Sequence, residues 1–309
     1  MHPAYSVILF TTASGMGYGM LVLLGLVGIS HGQASSLAFG LTTMIMALGL
    51  VTIGLLSSTL HLGRPERAWR AFSQWRSSWL SREGVAAVVT YGPALLFGLM
   101  WSGLVEAPQW IVPLGIATAG MALITIYCTG KIYSTLTTIR AWNQPLTVPV
   151  YFAFGLASGA TLLAAISSLF GRFQVFMAIV TVALLLAVIA VKFLYWRAID
   201  NAPHDRTMED ATGLGRIGKV GQWEVPHTSE NYIQKEMGYA VARKHASKLR
   251  NGVMILLALA IVFMALAIAV PLFAIIAAIA AAAASVVERW LFFAEAQHVV
   301  TLFYGAKAA

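Results

Sequence analysis

Residues 253–286 read VMILLALAIVFMALAIAVPLFAIIAAIAAAAASV, a run with no charged side chain. A helix needs about 20 apolar residues to cross roughly 30 Å of hydrocarbon, so the run is too long for one span of ordinary tilt. Pro271, near its middle, breaks a helix by removing a backbone donor and clashing with the preceding turn, and it suits a tight hairpin. The run therefore reads as two spans, Gly252 to Val270 and Leu272 to Leu291. With a single span here the total would be seven.

The rest of the chain has the same character. It is 59% hydrophobic and 10% charged, and further apolar runs lie near Tyr5 to Gly28, Leu37 to Leu60, Gly84 to Leu104, Trp110 to Ile132, Val148 to Phe170 and Phe173 to Tyr195. The runs are continuous and Leu/Ala-rich rather than alternating. In lipid only a helix satisfies its backbone within one segment, so a barrel is disfavoured. The expected fold is an all-α integral membrane protein, a bundle of eight transmembrane helices with one extended cytoplasmic loop. Residues 1–195 carry helices 1–6 with a basic connection at 61–82, 196–251 form the loop, and 252–309 hold helices 7 and 8 and the C-terminal segment. The first run lacks a basic n-region and is long enough to remain as a span, so no cleavable signal is expected.

Of the 20 Lys and Arg, 19 fall on the side of the N-terminus when residues at span ends are counted with the loops, and only Arg172 falls on the other. The positive-inside rule then puts both termini in the cytoplasm. Anionic lipid headgroups account for part of the +8 net charge, and an acidic protein partner is the sharper alternative. Nucleic acid fits poorly, because the basic residues sit in short juxtamembrane loops. Within 196–250, the first half is rich in Gly, Pro and charge and reads as an irregular loop. The second half reads as an interfacial helix capped at Thr228 or Ser229, with Arg243, Lys244, Lys248 and Arg250 in its last turns.

Several chemistries lack their ligands. The one cysteine, Cys128, lies inside a span, so this chain holds no iron–sulfur cluster or structural zinc of its own. None of the seven histidines lies in the middle of a span, which argues against a transmembrane haem. No P-loop, Gly-x-Ser-x-Gly or His-Glu-x-x-His motif occurs. The string Ala13, Ser14, Gly15, Gly17, Gly19 in the first span reads as close helix packing.

What remains is HLGRPERAWRAFSQWRSSWLSREG at 61–84, with five arginines, three tryptophans, a histidine and two glutamates. His61 ends helix 2 and Glu83 begins helix 3, with Arg64 and Arg82 nearby. Such groups suit a quinone, whose reduction takes two electrons and two protons and needs hydrogen-bonding, proton-exchanging partners near its carbonyl oxygens. An interfacial loop, with snorkelling arginines and Trp69, Trp75 and Trp79 in the aromatic belt, accounts for the same composition. A transporter would require charges at the midplane and interrupted helices in repeated positions, neither of which stands out.

The pattern His-Leu-Gly-Arg-Pro at 61–65 and Ser-Trp-Leu-Ser-Arg-Glu at 78–83 resembles the membrane anchor of dimethyl sulfoxide reductase, the DmsC type within the polysulfide reductase/NrfD-like group. The start MHPAYSVILFTTASG, the segment 224–250 and the ending FFAEAQHVVTLFYG at 292–305 are similar to the anchors of the cytoplasmic quinone-linked sulfite dehydrogenase. The resemblance implies an eight-span, haem-free subunit that is not an enzyme alone. It would pass electrons between a quinone (ubiquinone or menaquinone) and an iron–sulfur subunit, which in turn serves a molybdopterin catalytic subunit. It ties His61 and Glu83 to quinone binding, with Arg64, Arg82 and Trp79 beside them, and makes Arg67, Arg70 and Arg76 candidate contacts for the iron–sulfur subunit. The expected reaction is sulfite oxidation, with quinol oxidation by a sulfoxide reductase as the alternative.

Overall fold

The computed structural model describes residues 4–60, 62–202, 206–224, 229, 231, 241–304 and 306, the side chains of 241–244 excepted. Eight helices are long and apolar enough to cross a membrane. They are α1 (Tyr5–His31), α2 (Leu37–Thr59), α3 (Trp79–Trp101), α4 (Ile111–Ser134), α5 (Thr147–Leu169), α6 (Val175–Asp200), α7 (Val241–Leu266) and α8 (Phe273–Ala294). The apolar run of 253–286 divides as its proline requires, with residues 267–272 turning between α7 and α8. Eight spans bring the start of α1 and the segment after α8 to one end of the bundle. Most of the arginines and lysines lie there, and it is called the basic end below.

Two expected boundaries move, and both moves matter. The third span begins at Trp79 rather than Gly84, so Glu83 lies within the helix and not at its mouth. Four residues of helix put it about 6 Å beyond Trp79. The sixth span runs to Asp200, which takes Lys192 into the bundle. In both cases aromatic and aliphatic side chains (Trp79 and Leu80; Phe193, Leu194, Tyr195 and Trp196) continue the apolar surface past the charged residue.

α1 and α5 form the centre. Each has 72% of its apolar window buried, against 28% for α6 and 22% for α7, which face outward. α1 packs on α2, α4 and α5, and α5 packs on α1, α4, α6 and α8. The small residues of α1 make these approaches possible. A Cβ on Gly19 would collide with the Gly155 carbonyl of α5, one on Gly17 would lie 2.6 Å from Ala47 O of α2, and one on Gly25 would lie 2.5 Å from Gly115 O of α4. Without a hydrophobic drive between helices in lipid, such close backbone contact is a main source of association. Gly15 differs, for a Cβ there meets nothing within 4 Å. Gly19→Ala is therefore expected to destabilise the protein by about 1–3 kcal/mol through overpacking, whereas Gly15→Ala leaves it unchanged or slightly more stable. Thermal denaturation in detergent checks the pair, and equal melting temperatures would refute the packing role of Gly19.

The connections at the basic end are ordered by their own polar groups. Trp142 Nε1 donates to Phe292 O at 2.8 Å, Thr147 Oγ1 to Trp142 O at 2.7 Å and Tyr195 Oη to Ala141 O at 2.8 Å, which fastens the α4–α5 connection onto α6 and α8. Val299 N–H donates to Thr138 O at 3.1 Å, joining the segment after α8 to that connection. Burial lowers the imidazole pKa of His298 beside it.

The segment after α6 is not wholly irregular. A one-turn helix, Met208–Thr212, starts where the Asp210 carboxylate accepts from the Thr207 N–H at 3.1 Å and hydroxyl at 2.9 Å. Of the expected interfacial helix, residues 241–250 continue into the membrane span as part of α7. Thr228 and most of 230–240, and the side chains of Arg243 and Lys244, lie outside the described residues.

Candidate functional site

The strip between α2 and α3 folds as a 3-10 helix, Pro65–Phe72, with Pro65 at its first turn. Arg64, Arg67, Arg70 and Arg76 are exposed, as are Trp69 and Trp75. Two of these arginines lie near their own tryptophans: Arg70 Cζ is 5.7 Å from the Trp69 ring centroid, and Arg76 Cζ is 5.3 Å from that of Trp75. The strip thus presents cations and indoles outward at the basic end. His61 lies outside the described residues.

Arg82 is turned to a different task. Its Nε donates to Trp75 O at 3.0 Å and its Nη2 to Arg76 O at 2.7 Å, so one planar guanidinium closes the turn that leads into α3. The same group lies 4.2 Å from the centroid of Trp79. Lys131 Nζ of α4 is 5.5 Å from that ring, and Tyr127 meets it edge-on at 5.7 Å. The Ser81 hydroxyl donates to Ala71 O and pins the 3-10 helix to the first turn of α3.

One turn deeper, the Glu83 side chain points inward. It is 4% exposed, and its Oε1 accepts from the Thr129 hydroxyl of α4. Thr129 in turn bonds Thr125 O at 3.0 Å, and Thr125 Oγ1 lies 3.2 Å from Thr90 Oγ1, so a line of hydroxyls runs between α3 and α4. Among the described residues no cation lies within ion-pair distance of Glu83. The structure brings Glu83, Arg82 and Trp79 onto one helical turn and leaves Arg64, Arg67, Arg70 and Arg76 at the surface. A buried carboxyl without a counter-charge is an unfavourable place for a permanent anion and a suitable one for a group that takes up and releases a proton.

A family model for the DMSO reductase anchor subunit (DmsC) matches residues 1–306. The chain belongs to that family. The C subunit of the sulfite dehydrogenase of Allochromatium vinosum is 32% identical over 327 aligned positions that span the whole of both proteins. The C component of the anaerobic dimethyl sulfoxide reductase of Haemophilus influenzae is 26% identical over 159 positions, 50% of this chain and 55% of that protein.

This DmsC-family protein also holds charged residues that its sequence did not reveal. Lys192 Nζ on α6 lies 2.5 Å from Glu288 Oε1 on α8, and Arg289 Nε lies 3.2 Å from Glu288 Oε2. Lys192 and Glu288 are fully buried and Arg289 is 2% exposed. The Arg289 guanidinium lies 3.9 Å from the centroid of Tyr151 on α5. Nearer the basic end, Arg250 bridges Glu295 at 2.7 Å and Asp200 at 2.6 Å, and Trp196 separates this outer group from Lys192. Three cations and three carboxylates are thus arranged in two layers that join α6, α7 and α8. By sequence, Lys192 and Arg289 counted as loop charges at span ends; the structure corrects that. The signal was present in the aromatic residues that follow Lys192 and in the aliphatic Leu291 and aromatic Phe292 and Phe293 that follow Arg289. A narrow crevice of about 20 Å³, lined by Ser14, Gly15, Thr129, Tyr151 and Arg289 among others, lies between this cluster and the partner of Glu83.

Proposed function

We propose that this chain is the quinone-reactive anchor of a complex that oxidises sulfite, exchanging electrons between a membrane quinone at the start of α3 and an iron–sulfur subunit held at the basic end. The observation that carries the reading is Glu83: a carboxyl buried one turn inside α3, bonded to Thr129, directly beneath the exposed arginine strip. The full-length similarity to the C subunit of a sulfite dehydrogenase, against a half-length match to a dimethyl sulfoxide reductase component, favours sulfite as the substrate of the complex.

On reduction a quinone accepts two electrons and two protons. Toward it, Glu83 holds and releases a proton at its carboxyl, and Thr129 fixes the orientation of that carboxyl. By the resemblance His61 is a second proton-exchanging group of the site, with Arg64 at its exposed edge, and Trp79 flanks the ring. Arg82 acts as a positioning residue through its bonds to the backbone at 75 and 76. The apolar helices accommodate an isoprenoid tail. With one cysteine in the sequence, the clusters belong to the partner, and the molybdopterin subunit lies beyond it. Arg67, Arg70 and Arg76 are exposed cations suited to an acidic docking face, where charge complementarity speeds encounter and sets orientation.

The proposed location is the bacterial inner membrane with the basic end in the cytoplasm. Removing the buried Lys192 and Arg289 from the count of loop charges still leaves Arg172 as the one basic residue at the opposite end. Purification from the native membrane is expected to bring down an iron–sulfur protein, a molybdoenzyme and extractable quinone. Reporter fusions at Ala309 and in the 196–250 segment should read cytoplasmic, and one near Glu106 exported. Exported readings at Ala309 and in 196–250 would invert the arrangement, and a purified protein without redox partners would remove the reading altogether.

A further inference from the structure

At the end of the bundle away from Glu83, α1, α2, α5 and α6 enclose a cavity of about 770 Å³. Its shaft is apolar, with Leu24, Leu163 and Val180 on its walls, and Phe39 and Trp101 stand together within it at a centroid distance of 6.0 Å. Leu26 and Phe176 also line it and are 51% and 70% exposed, so the cavity opens on the outer surface of the helices, where lipid tails run. A gap of this size is far from the close packing of protein interiors and within the range of ligand pockets.

The rim is polar and one-signed. Arg172, His31 and Gln174 line it, and no acidic residue does. Arg172 forms no ion pair among the described residues. His31 Nδ1 lies 2.7 Å from Ser30 Oγ, which leaves Nε2 for another partner. Arg172 is also the one Lys or Arg at this end of the bundle, an exception to the charge asymmetry of the whole protein, and it stands at the mouth of this cavity. Trp101, the last residue of α3, is 1% exposed and its Nε1 has no hydrogen-bond partner among the described residues.

From this combination we infer a binding site for one anionic phospholipid of the leaflet opposite the basic end. Its phosphate is held by Arg172 and His31, and an acyl tail fills the shaft along Leu24, Leu163 and Val180. A guanidinium suits phosphate because its planar donors match the oxygens in pairs. A net negative headgroup balances a rim that carries no carboxylate, which a zwitterionic headgroup does less well. The site is independent of the quinone reading, since no residue of the α2–α3 strip takes part.

The test uses the protein purified from its membrane in mild detergent, with retained lipid extracted and quantified, and then the delipidated protein melted with dioleoylphosphatidylglycerol or dioleoylphosphatidylcholine added. Wild type should retain about one anionic phospholipid per protein molecule, and phosphatidylglycerol should raise its melting temperature more than phosphatidylcholine. Arg172→Gln, at an exposed position that folds without it, should reduce anionic retention about tenfold, the loss of one charge-assisted contact, and abolish the difference between the two lipids. Val180→Trp, which fills the shaft, should reduce retention with either headgroup. Equal retention and equal stabilisation by both lipids in wild type and Arg172→Gln would overturn the site, as would photo-crosslinking of a quinone analogue, instead of phospholipid, to residues 160–181.

Discussion

Glu83→Gln is expected to cut quinone-linked turnover of the assembled complex by a factor of about 100 or more, the range lost when a positioned proton-exchanging group is removed, while turnover with a dye that accepts electrons upstream of the anchor stays near wild type. Glutamine keeps the size of the side chain and accepts from the Thr129 hydroxyl as the carboxylate does, so the helix and its α3–α4 contact survive and only the titratable proton is lost. Membranes assayed with sulfite and both acceptors separate the outcomes. Loss of both activities would point to failed assembly, and full quinone-linked activity would remove Glu83 from the site. Thr129→Val provides a graded companion, since the carboxyl remains but its orienting donor is gone; a smaller loss than with Glu83→Gln is expected. His61→Ala should weaken a hydroxyquinoline N-oxide inhibitor of the quinone site, with a pH dependence through the imidazole range.

The parts of this arrangement that were legible in the sequence are those governed by length and composition. A 34-residue apolar run with a central proline has to turn, and α7 and α8 do so around Pro271. The glycines of the first span leave no room for a Cβ at positions 17 and 19 but do at 15, and spacing alone cannot tell which side of a helix faces a neighbour. The His-Leu-Gly-Arg-Pro and Ser-Trp-Leu-Ser-Arg-Glu patterns made Glu83 a candidate. Its depth and its partner were hidden, since Thr129 is 46 residues away and only the packing of α3 on α4 brings the two together. The charges of α6 and α8 were misassigned for the same reason. Lys192 and Glu288 are 96 residues apart, and each alone, near the end of an apolar run, has the sequence appearance of a residue that reaches water.

That buried cluster is expected to be the most sensitive stability determinant of the bundle, and its charges predict an order among mutants. Lys192, Arg289 and Arg250 are balanced by Glu288, Glu295 and Asp200, with Glu288 the one acid in contact with both inner cations. Removing one partner of a buried ion pair costs about 3–5 kcal/mol, because the remaining charge is left uncompensated in a medium of low dielectric. Glu288→Gln leaves two facing cations and should all but eliminate folded protein from the membrane. Lys192→Met leaves the Arg289–Glu288 pair neutral and replaces an ammonium by a side chain of similar length, so it should be much milder. Combining the two should recover part of what Glu288→Gln loses, since one of the two orphaned cations is then gone. Fluorescence-detected size exclusion of tagged protein measures the folded fraction, and melting in detergent ranks the survivors. If Lys192→Met is as damaging as Glu288→Gln, or if the double variant recovers nothing, the cluster does not hold α6 against α8 by charge compensation, and the stability of that interface has to come from the aromatic packing of Tyr195 and Phe292 instead.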